Sequence, residues 1–197
     1  MGEFLTRQRL KRIALGAVVL LSISYAGCDV SKPAARPEKW AQPVVSSTLE
    51  NWYKLDGDVY RSEQPTRAGF EDIRKMGIQT IIDLRAGHTD ADLIKGMGFT
   101  LIEVPMTATG FGTNDVVKAL RAIKDARKPV LIHCQYGADR TGLVAAMYRI
   151  VFEDWTKDDA IAELTQGGFG FHIYYVNIPM FIGDVNVAKI KAEVGLQ

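Results

Sequence analysis

Cysteine is scarce in this sequence: Cys28 and Cys134 are the only two in 197 residues. A disulfide between them would consume the thiol that the rest of the chain singles out, so they read as two separate functions. Histidine is scarcer than its chemistry would require for metal binding. His88 and His172 have no clustered Cys or His partners and make no metal site, and the third histidine, His133, sits beside Cys134. A surplus of charge is also missing. The formal net charge is +1, and setting aside the four basic residues and one acid before Cys28 leaves 20 basic and 22 acidic residues. No basic surface excess points to a nucleic acid partner. No internal repeat is visible. The apolar run over residues 13–26 has 14 residues, short of the about 20 that a helix needs to cross a bilayer.

What is present concentrates in one stretch, His133-Cys134-Gln135-Tyr136-Gly137-Ala138-Asp139-Arg140-Thr141-Gly142. The preceding Pro129-Val130-Leu131-Ile132 reads as a short buried strand; the following Leu143, Val144, Met147, Ile150 and Val151 recur at helical spacing. A loop feeding a helix N-terminus points several unpaired N–H groups at one spot, with the positive end of the helix dipole behind them. It therefore attracts an anion. The same field favours a thiolate, which makes Cys134 a candidate nucleophile. Arg140 offers a planar fork for two oxygens of a phosphoryl group. Gly137 lets the backbone bend inward, and the Thr141 hydroxyl is placed to hydrogen-bond the sulfur as it leaves. Gln135, Tyr136, Gly137, Ala138 and Thr141 form the expected substrate-binding set, with the Tyr136 side chain turned outward to the pocket rim. A lone Cys after a strand is more often a core residue, and the spacing to Arg140 overturns that reading.

Cys followed after five residues by Arg-Thr-Gly, with His before it and Gly in mid-loop, resembles the signature of the cysteine-based protein tyrosine and dual-specificity phosphatases. Tyr60-Arg61-Ser62-Glu63-Gln64-Pro65, Ile82-Asp83-Leu84-Arg85 and Gly167-Gly168-Phe169-Gly170-Phe171-His172 resemble further segments of the small bacterial dual-specificity-like members. The resemblance implies hydrolysis of phosphomonoesters through a phosphocysteine, with no cofactor and no metal. His133 would hydrogen-bond loop backbone and steady Cys134. A small domain without deepening segments implies a shallow dual-specificity-like site. Other readings are a phosphatase of a non-protein substrate such as inositol phosphates, a phosphate-binding pseudoenzyme that keeps the cradle without turnover, and a sulfur transferase, whose loop is usually one residue shorter.

The resemblance also implies a general acid, normally an Asp on the loop between the preceding strand and helix. Here that region reads Val104-Pro105-Met106-Thr107-Ala108-Thr109, without a carboxylate. Asp115 lies in a first helical turn, where capping is the plainer role. Asp139 is the remaining candidate and joins Cys134 and Arg140 in the catalytic set, since the like charge of a bound phosphate would keep it protonated and able to donate. Asp83 and Arg85 read as a structural pair, and Phe169, Phe171, Tyr174 and Tyr175 as packing under a glycine turn.

At the N-terminus, Arg7, Arg9, Lys11 and Arg12 precede the apolar run, the pattern of a secretory signal peptide. Ala26-Gly27-Cys28 resembles a bacterial lipobox, with Tyr25 where Leu is usual, which makes Cys28 the expected lipidation site. Residues 1–28 are thus expected to be a signal segment, residues 29–43 a proline-rich tether, and residues 44–197 the catalytic domain, exported and membrane-anchored.

Within the domain, residues 52–55 and 59–61 flank Asp56-Gly57 as a hairpin. Thr66 caps a helix that Gly77 ends, before a strand at residues 80–84. Thr89 with Asp92 predicts a short helix to Met97, followed by a strand at residues 100–104. Asn114 predicts a helix cap before Val116, Val117, Leu120 and Ile123. A Thr156-capped helix and a last helical stretch from about Tyr174 complete the chain. Alternating strands and helices imply an α/β fold: a mainly parallel central sheet flanked by helices, with the site at the carboxyl ends of the strands.

Overall fold

Four strands pair in parallel, β3 (Val59–Ser62), β6 (Val130–His133), β4 (Thr80–Arg85) and β5 (Thr100–Met106), in the computed structural model, which describes residues 36–196. Two short strands, β1 (Gln42–Pro43) and β2 (Tyr53–Lys54), extend the sheet antiparallel to give the order β1-β2-β3-β6-β4-β5. Six helices accompany them among the described residues: α1 (Arg67–Lys75), α2 (Thr113–Asp125), α3 (Asp139–Phe152), α4 (Lys157–Gln166), α5 (Asn177–Asp184) and α6 (Val187–Val194). This is the expected α/β fold with a mainly parallel central sheet. The signal segment, Cys28 and the first part of the tether lie outside the described residues. Among the described residues no helix is long and apolar enough to cross a membrane.

The central strands are apolar on both sides because both faces of the sheet are covered. Ile82, Leu84, Val130 and Ile132 join the helices α2 to α6 in one core; Ile81, Leu131 and Tyr60 join Phe70 and Ile73 of α1 in a second. Successive residues of a strand thus feed opposite layers. The Asp56-Gly57 hairpin forms as expected, with Asp56 Oδ1 accepting the N–H groups of Asp58 and Val59. Thr66 caps α1 through its side chain.

Three local expectations are corrected. Residues 89–97 form no α-helix: single turns close from Ile94 N to Asp90 O and from Met97 N to Ile94 O, and Gly96, at φ 80°, leaves helical space before a helix can propagate. Helix α2 is capped at Gly112 rather than Asn114, with the Asp115 carboxylate accepting the Gly112 N–H at 3.0 Å. The last stretch is two helices, and the Asn186 side chain starts the second by accepting the Lys189 N–H.

The boundary of the domain also differs from the expected Val44. Arg36 donates to Ala41 O at 2.5 Å and to Gly167 O at 2.6 Å, and buried Ala41 donates its N–H to Glu163 Oε1. Residues 36–43 are therefore packed on the domain, held by polar groups that a proline-rich composition does not reveal. Glu163 is in turn paired with Arg149, whose Nε and Nη2 both reach it at 3.0 Å while Nη1 donates to Leu55 O. One buried guanidinium thus ties α3, α4 and the hairpin together.

Candidate active site

The loop after β6 carries Cys134 through Ala138, and α3 begins at Asp139, so Arg140 stands in the first helical turn. Three successive carbonyls of this loop are held by other segments, and a fourth, Ala138 O, by the first turn of α3. Gln64 N donates to Gln135 O, Asn51 Nδ2 to Tyr136 O at 2.7 Å, Arg61 Nη2 to Gly137 O at 2.5 Å, and Gly142 N to Ala138 O at 2.9 Å. Among the described residues no protein acceptor takes the N–H groups of residues 135–138. Carbonyls bound outward and amides left over is the polarity an anion needs. Cys134 is 1% exposed, at the carboxyl end of the sheet.

Two close contacts shape the loop from beneath. Gly137 has φ 65°, and a Cβ there would lie 2.5 Å from the Ser62 C and O atoms, so the loop touches the end of β3. Arg61, from that strand, is 1% exposed and stacks 3.7 Å from the Phe169 ring centroid. Burial pushes its guanidinium down to about 10, against the opposing pull of Glu163 and Cys134. A buried positive charge therefore lies under the nucleophile.

Arg140 donates to Met106 O at 3.3 Å, and among the described residues no carboxylate pairs with it. Its fork is available to an anion. Tyr136 is 61% exposed, at the rim where it was expected. The Thr141 hydroxyl is buried without a partner, so the expected bond to sulfur is not made in this state. His133 does not reach loop backbone: its Nε2 lies 2.7 Å from Asp90 Oδ2, with the ring N–H poorly aimed at that oxygen, and its Nδ1 has no partner. Burial acts to raise the Asp90 carboxyl and is outweighed by the contact with His133 and a bond from Gln64, so the group lies below its usual range.

Asp139 is 5% exposed, and its carboxylate meets His172 twice: Oδ1 accepts the His172 main-chain N–H at 3.0 Å, and Oδ2 lies 2.9 Å from His172 Nδ1. Asp115 is engaged in capping α2. Beside the loop runs a cleft of about 380 Å³ lined by Tyr136, Ala138, His172, Tyr53, Glu50 and Glu63, with no Lys or Arg in its walls. Asp83, His88 and Asp90 present ligand atoms within 4.8 Å of one another. Protein groups already use them: Asp83 accepts from Arg85 N and meets His88, while Asp90 meets Gln64 and His133.

Arg61, Asn51, Asp90 and His172 were not recognised from the sequence as parts of the site. Arg61 left a trace, as a charged residue inside a strand that opens with Val59 and Tyr60. Asn51 and Asp90 left none, because their roles rest on contacts between distant segments.

A thiol and an unpaired guanidinium on one amide-lined loop, in this α/β fold, define a cysteine-based phosphatase. The family model for "DSP-PTPase phosphatase fused to NAD+ Kinase" matches residues 38–170, and the chain belongs to this family of dual-specificity-like phosphatases. It is 33% identical over 162 residues to the dual specificity protein phosphatase TpbA of Pseudomonas aeruginosa, covering 81% of this chain and 73% of that protein. It is 26% identical over 117 residues to the inositol diphosphatase SIW14 of Saccharomyces cerevisiae, covering 54% of this chain and 41% of the relative. The crystal structure of P. aeruginosa TpbA matches with a TM-score of 0.73 at 28% identity, covering 81% of this chain and 98% of that one. The core of the yeast protein in complex with citrate has the same fold, at a TM-score of 0.66 and 24% identity over 76% of this chain and 93% of that one.

Proposed function

We propose that this phosphatase acts on phosphorylated side chains of proteins, with dual specificity, through a phosphocysteine. The observation that carries the mechanism is Cys134 and Arg140 on one loop whose carbonyls at residues 135–138 are already bound while the N–H groups of the same residues have no protein acceptor among the described residues. The Cys134 thiolate attacks phosphorus, and Arg140 with the amides of Gln135, Tyr136, Gly137 and Ala138 holds the equatorial oxygens. Thr141, buried with its hydroxyl unused, donates to the sulfur as water displaces it. Asp139 governs the proton that the leaving oxygen needs.

The acceptor class follows from charge. The cleft beside the loop presents Glu50, Glu63 and aromatic rings without a Lys or Arg. A polyphosphorylated inositol needs several cations around its ring, whereas a phosphotyrosine or phosphoserine peptide needs only the single cradle. Likeness to TpbA supports the same choice. Purified full chain should release phosphate from phosphotyrosine and phosphoserine peptides and leave inositol polyphosphates nearly untouched; the reverse order would assign the chain to inositol phosphates.

We further propose that the domain is exported and held at a membrane by a lipid on Cys28, as the basic, apolar and Ala26-Gly27-Cys28 pattern suggests. A fatty-acid analogue should label the wild type and not Cys28→Ala. Equal labelling would refute the anchor.

A further inference from the structure

The site has a nucleophile and a clamp for the phosphoryl group, but the loop between β5 and α2 carries no carboxylate, and Asp115 is spent on capping. Asp139 is poorly arranged to hand a proton to substrate by itself. A main-chain N–H can only donate, so Oδ1 is an acceptor there; the imidazole Nδ1 lies 3.1 Å from the same oxygen and 2.9 Å from Oδ2. Both oxygens face His172. The bond to a carboxylate puts the hydrogen on Nδ1 and leaves Nε2 as the outer atom of the ring.

That ring stands beside the phosphate loop. Its centroid is 5.7 Å from the ring of Tyr136, on the phosphate loop, and 5.3 Å from that of Tyr174. It lines the same cleft as Ala138 and Tyr136, and its side chain remains 34% exposed. We infer that His172, oriented by Asp139, is the proton-transfer group of this enzyme, an inference that rests on the phosphocysteine mechanism proposed above. Asp139 is then a positioning residue.

The steps balance without any further reactant. Sγ of Cys134 forms a bond to phosphorus as the bond to the leaving oxygen breaks. That oxygen keeps the electron pair and takes the proton from Nε2 of the imidazolium, so the alcohol departs and a neutral ring remains. Water then attacks phosphorus, and the P–S electron pair returns to sulfur as thiolate. Nε2 takes the proton of the water, restoring the imidazolium and releasing inorganic phosphate.

The test is the dependence of rate on the leaving group, measured with the full chain on a series running from 4-nitrophenyl phosphate to alkyl phosphates. His172→Asn should lose a few-fold on the aryl ester and about 100-fold on an alkyl ester, the low end of what a positioned acid supplies. Asp139→Asn should steepen the series in the same sense, and the double variant should be no slower than His172→Asn, because the two residues act as one unit. His172→Gln serves as a second variant, and phosphate binding by each variant verifies that the loop is formed. A uniform loss across the series in variants that bind phosphate would overturn the inference. So would a steepened series in Asp139→Asn with none in His172→Asn, which would make Asp139 the direct donor. Failure of the underlying mechanism looks different: Cys134→Ser would still turn over.

Discussion

Gly137→Ala tests the contact that shapes the phosphate loop. Alanine at φ 65° carries the left-handed backbone cost, about 1–2 kcal/mol. The new Cβ would also sit 2.5 Å from Ser62 C and O and 2.6 Å from Glu63 N, all main-chain atoms that no rotamer change can move. Overpacking of this kind costs about 1–3 kcal/mol. The sum, about 2–5 kcal/mol, lowers the melting temperature of a domain this size by about 5–20 °C. Gly77→Ala supplies the control: Gly77 also has positive φ, at 81°, but nothing lies within 4 Å of its Cβ position. It should lose only the backbone term, about 1–2 kcal/mol. Phosphate binding separates the two further. Displacing Gly137 breaks its bond from Arg61, a charge-assisted bond of about 1.5–3 kcal/mol, so phosphate affinity should fall about 10-fold or more. Thermal unfolding and phosphate titration of both variants check this. Equal destabilisation by the two, or unchanged phosphate affinity in Gly137→Ala, would refute the argument that the loop is shaped by its approach to β3.

Cys134→Ser should abolish turnover while retaining phosphate binding, and Arg140→Lys should fail in both, because an ammonium cannot reproduce the planar fork; phosphate release and titration measure this. Glu163→Gln removes one of the two carboxylates paired with Arg149 and leaves Glu153 on Nη1; it should destabilise by about 1–3 kcal/mol in denaturant unfolding. Asp90→Asn probes pH dependence. The folded Asp90 carboxyl lies below its usual value, so its contribution is present at neutral pH and is lost as pH falls below about 4 through the folded value. Melting curves should show the variant less stable than wild type at pH 7, with the gap closing in acid; a gap that widens in acid would contradict the assignment.

The strand, loop and helix around Cys134 were legible in the sequence because they are local: an apolar run, five intervening residues and a helical repeat span a short stretch whose spacing alone sets the geometry. The separate strands were legible for the same reason, since Ile81, Ile82, Leu131 and Ile132 are consecutive apolar residues in short runs, and both faces of the sheet are covered there. Residues 89–97 misled because a capping pattern says where a helix can start, whereas Gly96 decides that it cannot continue. What only the tertiary structure decided is which distant groups meet the loop. Arg61 under Gly137, Asn51 on Tyr136 and His172 on Asp139 come from segments far away in the chain. Their pairing depends on the parallel register of β3 beside β6 and on the turn at residues 167–172 folding back over α3. No local pattern records such a meeting, because a hydrogen bond between distant residues leaves no period in either segment.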